Sequence, residues 1–302
     1  MIYIEIEEDF MEYNRKIIHL TLDNSLSITQ RNSFDYIYDL VEKTPSETVA
    51  YIHLTNFSHF NTCQLTFLLL LTYLLHRKTK VPVRYTDIPE NAANFLMTSG
   101  IFTLDSVVLP NKLTIKERFF PSNNIFPLKK WTNPTHVIYE DIRRHIGNNF
   151  NSLPPDKKGA LLSIVYQLVE NCLEHSYDKD SKLEYYVMIQ HLENKILLLV
   201  MDFGMGFYKN LKNVYSDIDI PSPLIAIERV ILEHLSSNIS GGTGFATIQE
   251  NLNSFCGHML VCSGNAVVQY HYKEKINFSM ETENCFPGSY IYIHLNVDKI
   301  IF

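Results

Sequence analysis

The sequence predicts an α/β protein of two domains, and three observations carry that reading. Strand-like and helix-like segments alternate through the first half. The second half opens with a long amphipathic helix and continues into paired apolar strands. Between them, Leu109 to Pro134 holds four prolines (Pro110, Pro121, Pro127, Pro134) and the only tryptophan, which reads as an irregular connector. The expected domains are therefore 1–109 and 135–302, joined by 110–134. A chain of 302 residues agrees with two domains at about 150 residues each.

Taken in order, Met1 to Ile6 and the Ile- and Leu-rich Lys16 to Leu22 are expected strands. Gln30 to Glu42 has helical apolar spacing. Thr48 to Leu54 reads as a buried strand, and Cys63 to His76 as a strongly apolar helix. Val81 to Tyr85 is strand-like, and Pro89 to Ser99 is helical with Gly100 as its stop signal. After the connector, Thr135 to Phe150 is expected to be helical. Pro154 and Pro155 break the chain before a helix from Lys157 to His175. Strands follow at Glu184 to His191 and Lys195 to Met201, with Asn194 near the turn. A glycine-containing loop and a polar stretch lead to a helix from Thr243 to Phe255. The last strands are expected at Met259 to Ser263, Val267 to Tyr272 and Ser289 to Asn296. No internal repeat is present.

Composition narrows the function classes. The apolar share is 46% and the charged share 20%, enough apolar surface for a packed core. The net charge of −7 disfavours a nucleic-acid groove, which needs a basic excess. Five scattered cysteines without a C-x-x-C pair argue against a disulfide framework or a structural zinc site, and fit a reducing compartment. The acidic start MIYIEIEEDF is unlike a signal peptide, and the apolar run Leu65 to Leu75 is too short to span a bilayer. The expectation is a cytoplasmic protein that does not enter the membrane.

Three segments of the second half carry chemistry. In the expected helix Lys157 to His175, Leu161, Ile164, Val165, Leu168 and Cys172 fall on one apolar face, while Gln167, Glu170, Asn171 and Glu174 of the segment Tyr166 to Ser176 form a polar stripe. An asparagine there can ligate a divalent cation through its amide oxygen, although a solvated helix face would read the same way alone. Asp202-Phe-Gly-Met-Gly206 follows an apolar strand directly. A carboxylate at a strand end can accept from an exocyclic amine such as adenine N6, and the two glycines let backbone approach a flat ring. Alone this is equally an ordinary turn. The same Asp-Phe-Gly occurs in protein kinases, whose catalytic loop and glycine strand are absent here. Gly241-Gly-Thr-Gly-Phe245 opens a helix with Phe245, Ile248, Leu252 and Phe255 on one face, and its N–H groups can cradle phosphate.

In this order and spacing the three segments resemble the GHKL ATP-binding (Bergerat) fold, an α/β sandwich with a mixed sheet, from about Asp156 to Asn296. Phe286-Pro-Gly-Ser-Tyr-Ile-Tyr-Ile-His-Leu295 resembles the last strand of histidine-kinase-like domains, with Ser289 where threonine is usual. The resemblance implies that Asn171 ligates magnesium and that Asp202 binds adenine N6, with Gly204 and Gly206 lining the ring. It implies that Gly242, Thr243 and Gly244 meet the phosphates of ATP, that Ser289 supports the adenine end, and that Phe207 to Ser240 is a mobile lid. One departure matters. The general base of hydrolytic members is a glutamate four residues before the magnesium asparagine, and here that position is Gln167. A neutral amide takes no proton at pH 7. Glu170 and Glu174 share its stripe and are the alternative bases. His136 and His145 occupy the region where histidine kinases carry their phosphoacceptor, without the acidic residue that follows it there.

Thr48 to Phe102 resembles a STAS domain, the fold of anti-sigma-factor antagonists. Thr62 stands at the phosphoacceptor position of that family, with altered neighbours; an N-cap role for Asn61 or Thr62 is the alternative. His53, His59 and His76 lack metal-ligand spacing. Together the resemblances imply an ATP- and magnesium-binding regulatory protein, in which an ordered lid switches contacts with the other domain, a protein partner or a second copy. The alternatives are an anti-sigma-factor-type serine/threonine kinase acting on a STAS partner, and a non-catalytic interaction module.

Overall fold

The computed structural model of the chain describes residues 3–5, 16–23, 31–56, 62–108, 124–131, 135–175, 184–215, 217–236 and 243–298. The chain divides into two compact units, Met1–Ser122 and Asn123–Phe302.

The first unit is built on β1 (Tyr3–Glu5), β2 (Ile17–Asp23), β3 (Val49–Asn56), β4 (Val83–Thr86) and β5 (Val107–Val108), in that order across the sheet. β1 runs antiparallel to β2, and β2 to β5 are parallel. The parallel strands need crossovers, supplied by α1 (Arg31–Lys43), α2 (Thr62–Thr79) and α3 (Glu90–Ser99). Alternate residues (Ile18, Leu20, Ile52, Leu54, Val83, Tyr85) are buried on one face. α2 buries Leu65, Leu68, Leu71 and Leu75 as well as Phe67 and Leu70, which explains its nearly continuous apolar sequence. Gly100 ends α3 as expected, with φ 84° and its N–H bonded to the Met97 carbonyl. Among the described residues no helix is long and apolar enough to cross a membrane.

The second unit carries β6 (Ile125–Trp131), β7 (Tyr185–Leu192), β8 (Lys195–Asp202), β9 (His258–His271) and β10 (Lys275–Asn296), in the order β6-β7-β8-β10-β9. Its helices are α4 (Thr135–Asn149), α5 (Pro155–His175), α6 (Gly206–Val214), α7 (Pro223–Leu232) and α8 (Gly244–Ser254). Two expectations are corrected here. The expected connector 110–134 is not irregular throughout, because residues 125–131 form β6, an edge strand of this sheet. Pro127 is tolerated there because it lies at the register shift between Phe126 and Lys129. The second sheet is also not mixed: all described pairings are antiparallel. β7–β8 and β9–β10 are joined by short turns, which forces antiparallel neighbours.

Residues Val187 and Ile189 on β7, Ile196, Leu198 and Val200 on β8, and Ile291, Ile293 and Leu295 on β10 form one apolar core with Ile164, Leu168, Ile227, Ile248 and Leu252 of the helices. β9 has 14 residues, which would span more than about 40 Å if straight. Yet the Tyr272 N–H donates to the Gly257 carbonyl at 3.2 Å. The strand therefore turns back on itself around Gly264, at φ 60°. The expected strands Met259 to Ser263 and Val267 to Tyr272 are its two arms. The first half of β10 is not among the expected strands, although Ile276, Phe278 and Met280 alternate with polar residues at the strand period of two.

One histidine pair sets an expected acid response. His258 and His294 are partners across β9 and β10, with ring centroids 4.7 Å apart. Burial, then the charges of His258 and Lys195, push His294 down to about 4; burial and His271 lower His258. The folded state thus favours neutral imidazole. Below about 6.5 the unfolded chain takes up the proton first, so stability falls as pH drops from about 6.5 toward about 4. Melting temperatures across this window are expected to fall most steeply in wild type and less in His294→Gln. An unchanged slope in the variant would place the acid sensitivity elsewhere.

Candidate functional site

Asp202 is the last residue of β8 and only 2% exposed. It follows Ile196, Leu198 and Val200 at the strand period of two, so it shares their helix-facing side. Its Oδ1 accepts the Gly204 N–H at 2.8 Å, and its Oδ2 accepts the Ser289 hydroxyl. The Cys172 thiol lies 4.0 Å from Oδ2. The sheet register sets Tyr185, Asp202, Ser289 and Ser263 in one row across β7, β8, β10 and β9.

Two glycines let the loop after Asp202 close on this row. Gly206 has φ 72°, and a Cβ there would lie 2.5 Å from Ser263 Oγ and 2.8 Å from the Gly288 carbonyl. Gly288 has φ 102°, and its Cβ would lie 2.2 Å from the Asp202 carbonyl oxygen. Ser263 pins the contact. Its hydroxyl accepts the Phe207 N–H at 3.0 Å and donates to the Gly288 carbonyl at 2.8 Å.

The helices complete the arrangement. α5 buries Leu161, Ile164, Val165, Leu168 and Cys172, as its spacing requires. Gln167, Glu170 and Asn171 are half-buried beside that stripe. Asn171 Nδ2 is buried with no hydrogen-bond partner among the described residues. α8 is held by Phe245, Ile248 and Leu252 and begins at Gly244, preceded by the exposed Thr243. A Cβ on Gly244 would lie 2.9 Å from Gln167 Oε1 and 3.8 Å from Asn171 Oδ1. The start of α8 thus abuts the amides of α5. A small cleft, with a cavity volume of about 10 Å³ and partly open to solvent, lies between α5, α6 and the sheet. Asn171, Cys172, Asp202, Gly206, Asn210 and Ser289 line it, over Leu168, Val200, Phe207 and Ile291.

Burial, then the Asp202 carboxylate, pushes the Cys172 thiol well up, so it stays protonated. Burial, then Cys172 and Glu170, raises the Tyr185 phenol. The Glu170 charge therefore reaches Tyr185 on β7, and Glu170 is not among the cleft residues. The arrangement offers a buried carboxylate and hydroxyl at a strand end, with a buried amide and a helix N-terminus beside them. A planar amine and an oxyanion are the chemical groups that match. Among the described residues no three His, Cys, Asp or Glu side chains converge to hold a metal ion.

Neither family models nor curated proteins give any match to this chain.

Of the residues singled out in the sequence, Asn171, Asp202, Gly206 and Ser289 meet in the cleft, and Gly244 and Gln167 meet each other. Gly204 serves the turn through its bond to Asp202. Gly242 and the Glu174 side chain lie outside the described residues. The expectation of a mobile lid from Phe207 to Ser240 is corrected over 207–231. That stretch forms most of α6 and α7 and buries Phe207, Leu211, Ile220, Ala226, Ile227, Val230 and Ile231 in the core. Its apolar residues, dense in Pro223–Leu232, are what pack it. His145 sits half-buried with its ring against Phe126 and Phe150, a packing role rather than a presented acceptor. Thr62 is fully buried in the first turn of α2, which withholds its hydroxyl from a kinase. Asn210, Ser263 and Gly288 were not legible as site residues. Asn210 belongs to no motif, and the other two act through backbone contacts that only the sheet register creates.

Proposed function

We propose that residues 123–302 bind an adenine nucleotide with magnesium, and that the chain uses this binding to regulate a protein contact rather than to turn nucleotide over. The observation that carries the reading is convergence. Asn171 of the polar stripe and Asp202 and Gly206 of the strand-end Asp-x-Gly-x-Gly line one cleft, and the glycine-opened α8 starts against Gln167 and Asn171 of the same stripe, although the three segments lie about thirty to forty residues apart in the sequence. Asp202 and Ser289 would take the amine edge of the base. The start of α8 would face the phosphates with its free N–H groups, which the helix dipole makes favourable for anions. The buried, unpartnered amide of Asn171 fits a magnesium ligand, since a half-turn of the amide exchanges Nδ2 and Oδ1. Magnesium, when bound, would neutralise phosphate charge.

Gln167 supports the regulatory side of the proposal. It lies against the start of α8, where phosphates would sit, and its amide accepts no proton at neutral pH. Slow turnover follows. A second reading, a non-catalytic interaction module, draws support from Asp202 itself. Gly204, Ser289 and Cys172 already serve its oxygens, which a structural role alone would explain. Calorimetric titration of the full chain with ATP, with magnesium and then with a chelator, separates the two. Saturable one-to-one binding that weakens in the chelator is expected. Absence of saturable heat under both conditions would favour the module.

A further inference from the structure

The half-buried face of the first sheet carries a chain of hydrogen bonds unrelated to the nucleotide cleft. His53 Nδ1 lies 2.5 Å from Asp87 Oδ2 and 2.8 Å from Thr86 Oγ1. His53 Nε2 lies 2.7 Å from His19 Nδ1. A carboxylate only accepts, so the proton of a neutral His53 sits on Nδ1. Its Nε2 then presents a lone pair and accepts the His19 Nδ1–H. His19 Nε2 is left with a lone pair and no hydrogen-bond partner among the described residues. Each tautomer is thus set by the group behind it, and Asp87 sets them all.

The same ring is held in place from its other side. The Tyr51 ring stacks on His19 at 5.1 Å and 15°. Arg84 donates to the Tyr51 hydroxyl at 2.6 Å and lies over its ring. The sheet register places these groups, since His19 faces Tyr51 and Tyr51 faces Arg84 on neighbouring strands. Asp87 follows β4 directly with φ 51°, in the left-handed region that favours glycine. Strained non-glycine backbone concentrates at functional positions.

We propose that Asp87, His53 and His19 form a proton relay that makes His19 Nε2 the nucleophile of an acyl-transfer site, whose substrates are activated esters or thioesters. The Nε2 lone pair attacks the carbonyl carbon, and the bond to the leaving oxygen or sulfur breaks. Acylation makes the His19 Nδ1 proton acidic, and it passes to His53 Nε2. The resulting His53 imidazolium is held by the Asp87 carboxylate. Water then attacks the acyl carbon, the C–N bond breaks, and the proton returns from His53 to His19. The acid leaves with the hydroxyl of water, and the leaving group takes the remaining proton. General acid–base assistance of this kind contributes on the order of a hundredfold or more.

The test uses the full chain and p-nitrophenyl acetate as the probe. A burst of nitrophenolate is expected, with the acetyl group found on His19 by peptide mass spectrometry. His19→Gln is expected to abolish the burst. Asp87→Asn, at a side chain 55% exposed and so tolerant of substitution, is expected to slow acetylation at least tenfold with an unchanged melting temperature. His53→Gln should slow it similarly while leaving His19 in place. Acetyl groups on other residues only, or equal rates in wild type and Asp87→Asn, would overturn the proposal.

Discussion

Gly288→Ala is expected to destabilise the second unit by more than about 3 kcal/mol, or to prevent its folding. Two effects add. The backbone there has φ 102°, which an L side chain rarely adopts. The new methyl group would lie 2.2 Å from the Asp202 carbonyl oxygen and 2.7 Å from Phe203 Cα, both backbone atoms that no rotamer change can move. Relief requires β10 to lift from the end of β8, which breaks the pairing of Ser289 with Asp202 and the bond from Ser263 to the Gly288 carbonyl. Gly147→Ala is the control, because nothing lies within 4 Å of a Cβ at that helical position. Denaturant midpoints of the two variants check the contrast. A Gly288→Ala variant within about 1 kcal/mol of wild type would mean that the loop adapts and that the close approach is not required.

Asp202→Asn is expected to weaken adenine-nucleotide binding about tenfold to a hundredfold, the range of a lost hydrogen bond to a charged acceptor at about 1.5–3 kcal/mol. The substitution keeps shape and volume. Its amide oxygen can still accept the Gly204 N–H, and the Ser289 hydroxyl can turn to accept from the new amide. The fold is therefore expected to survive while the acceptor for an exocyclic amine is lost. Titration isotherms of the variant and wild type, with melting curves for both, measure this. Equal affinities would remove Asp202 from base recognition and leave it the turn-forming role that its bond to Gly204 already supplies.

The legibility of this chain in its sequence follows physical lines. Elements with a strong period were readable: α5 by its apolar stripe, α3 by Gly100, and β8 by its unbroken run Ile196 to Met201. β6 was hidden because Pro127 reads as a breaker, and only its position on a sheet edge makes proline acceptable. The first half of β10, which pairs with the returning arm of β9, was legible in principle, since Ile276, Phe278 and Met280 alternate with polar residues, but the run is short and lies outside the expected strands. The lid expectation for α6 and α7 follows from the resemblance alone; the apolar run of Pro223–Leu232 is itself the signal of a packed helix. In the cleft, Asn171, Asp202 and Gly206 stood out through local chemistry at a helix stripe, a strand end and a turn, and Ser289 only through the resemblance of its strand. Ser263 and Gly288 did not, since their importance arises from backbone atoms 25 and 56 residues away for Ser263 and 86 residues away for Gly288. His19 and His53 are 34 residues apart and become neighbours only through parallel pairing of β2 and β3.

Photolabelling of the full chain with 8-azido-ATP and magnesium, followed by peptide mapping, tests the single composite nucleotide site most directly. Label is expected in peptides that carry Asn171, Asp202 to Gly206 or Ser289, and excess ATP is expected to suppress it. Label confined to other peptides, or label that excess ATP leaves unchanged, would contradict the account.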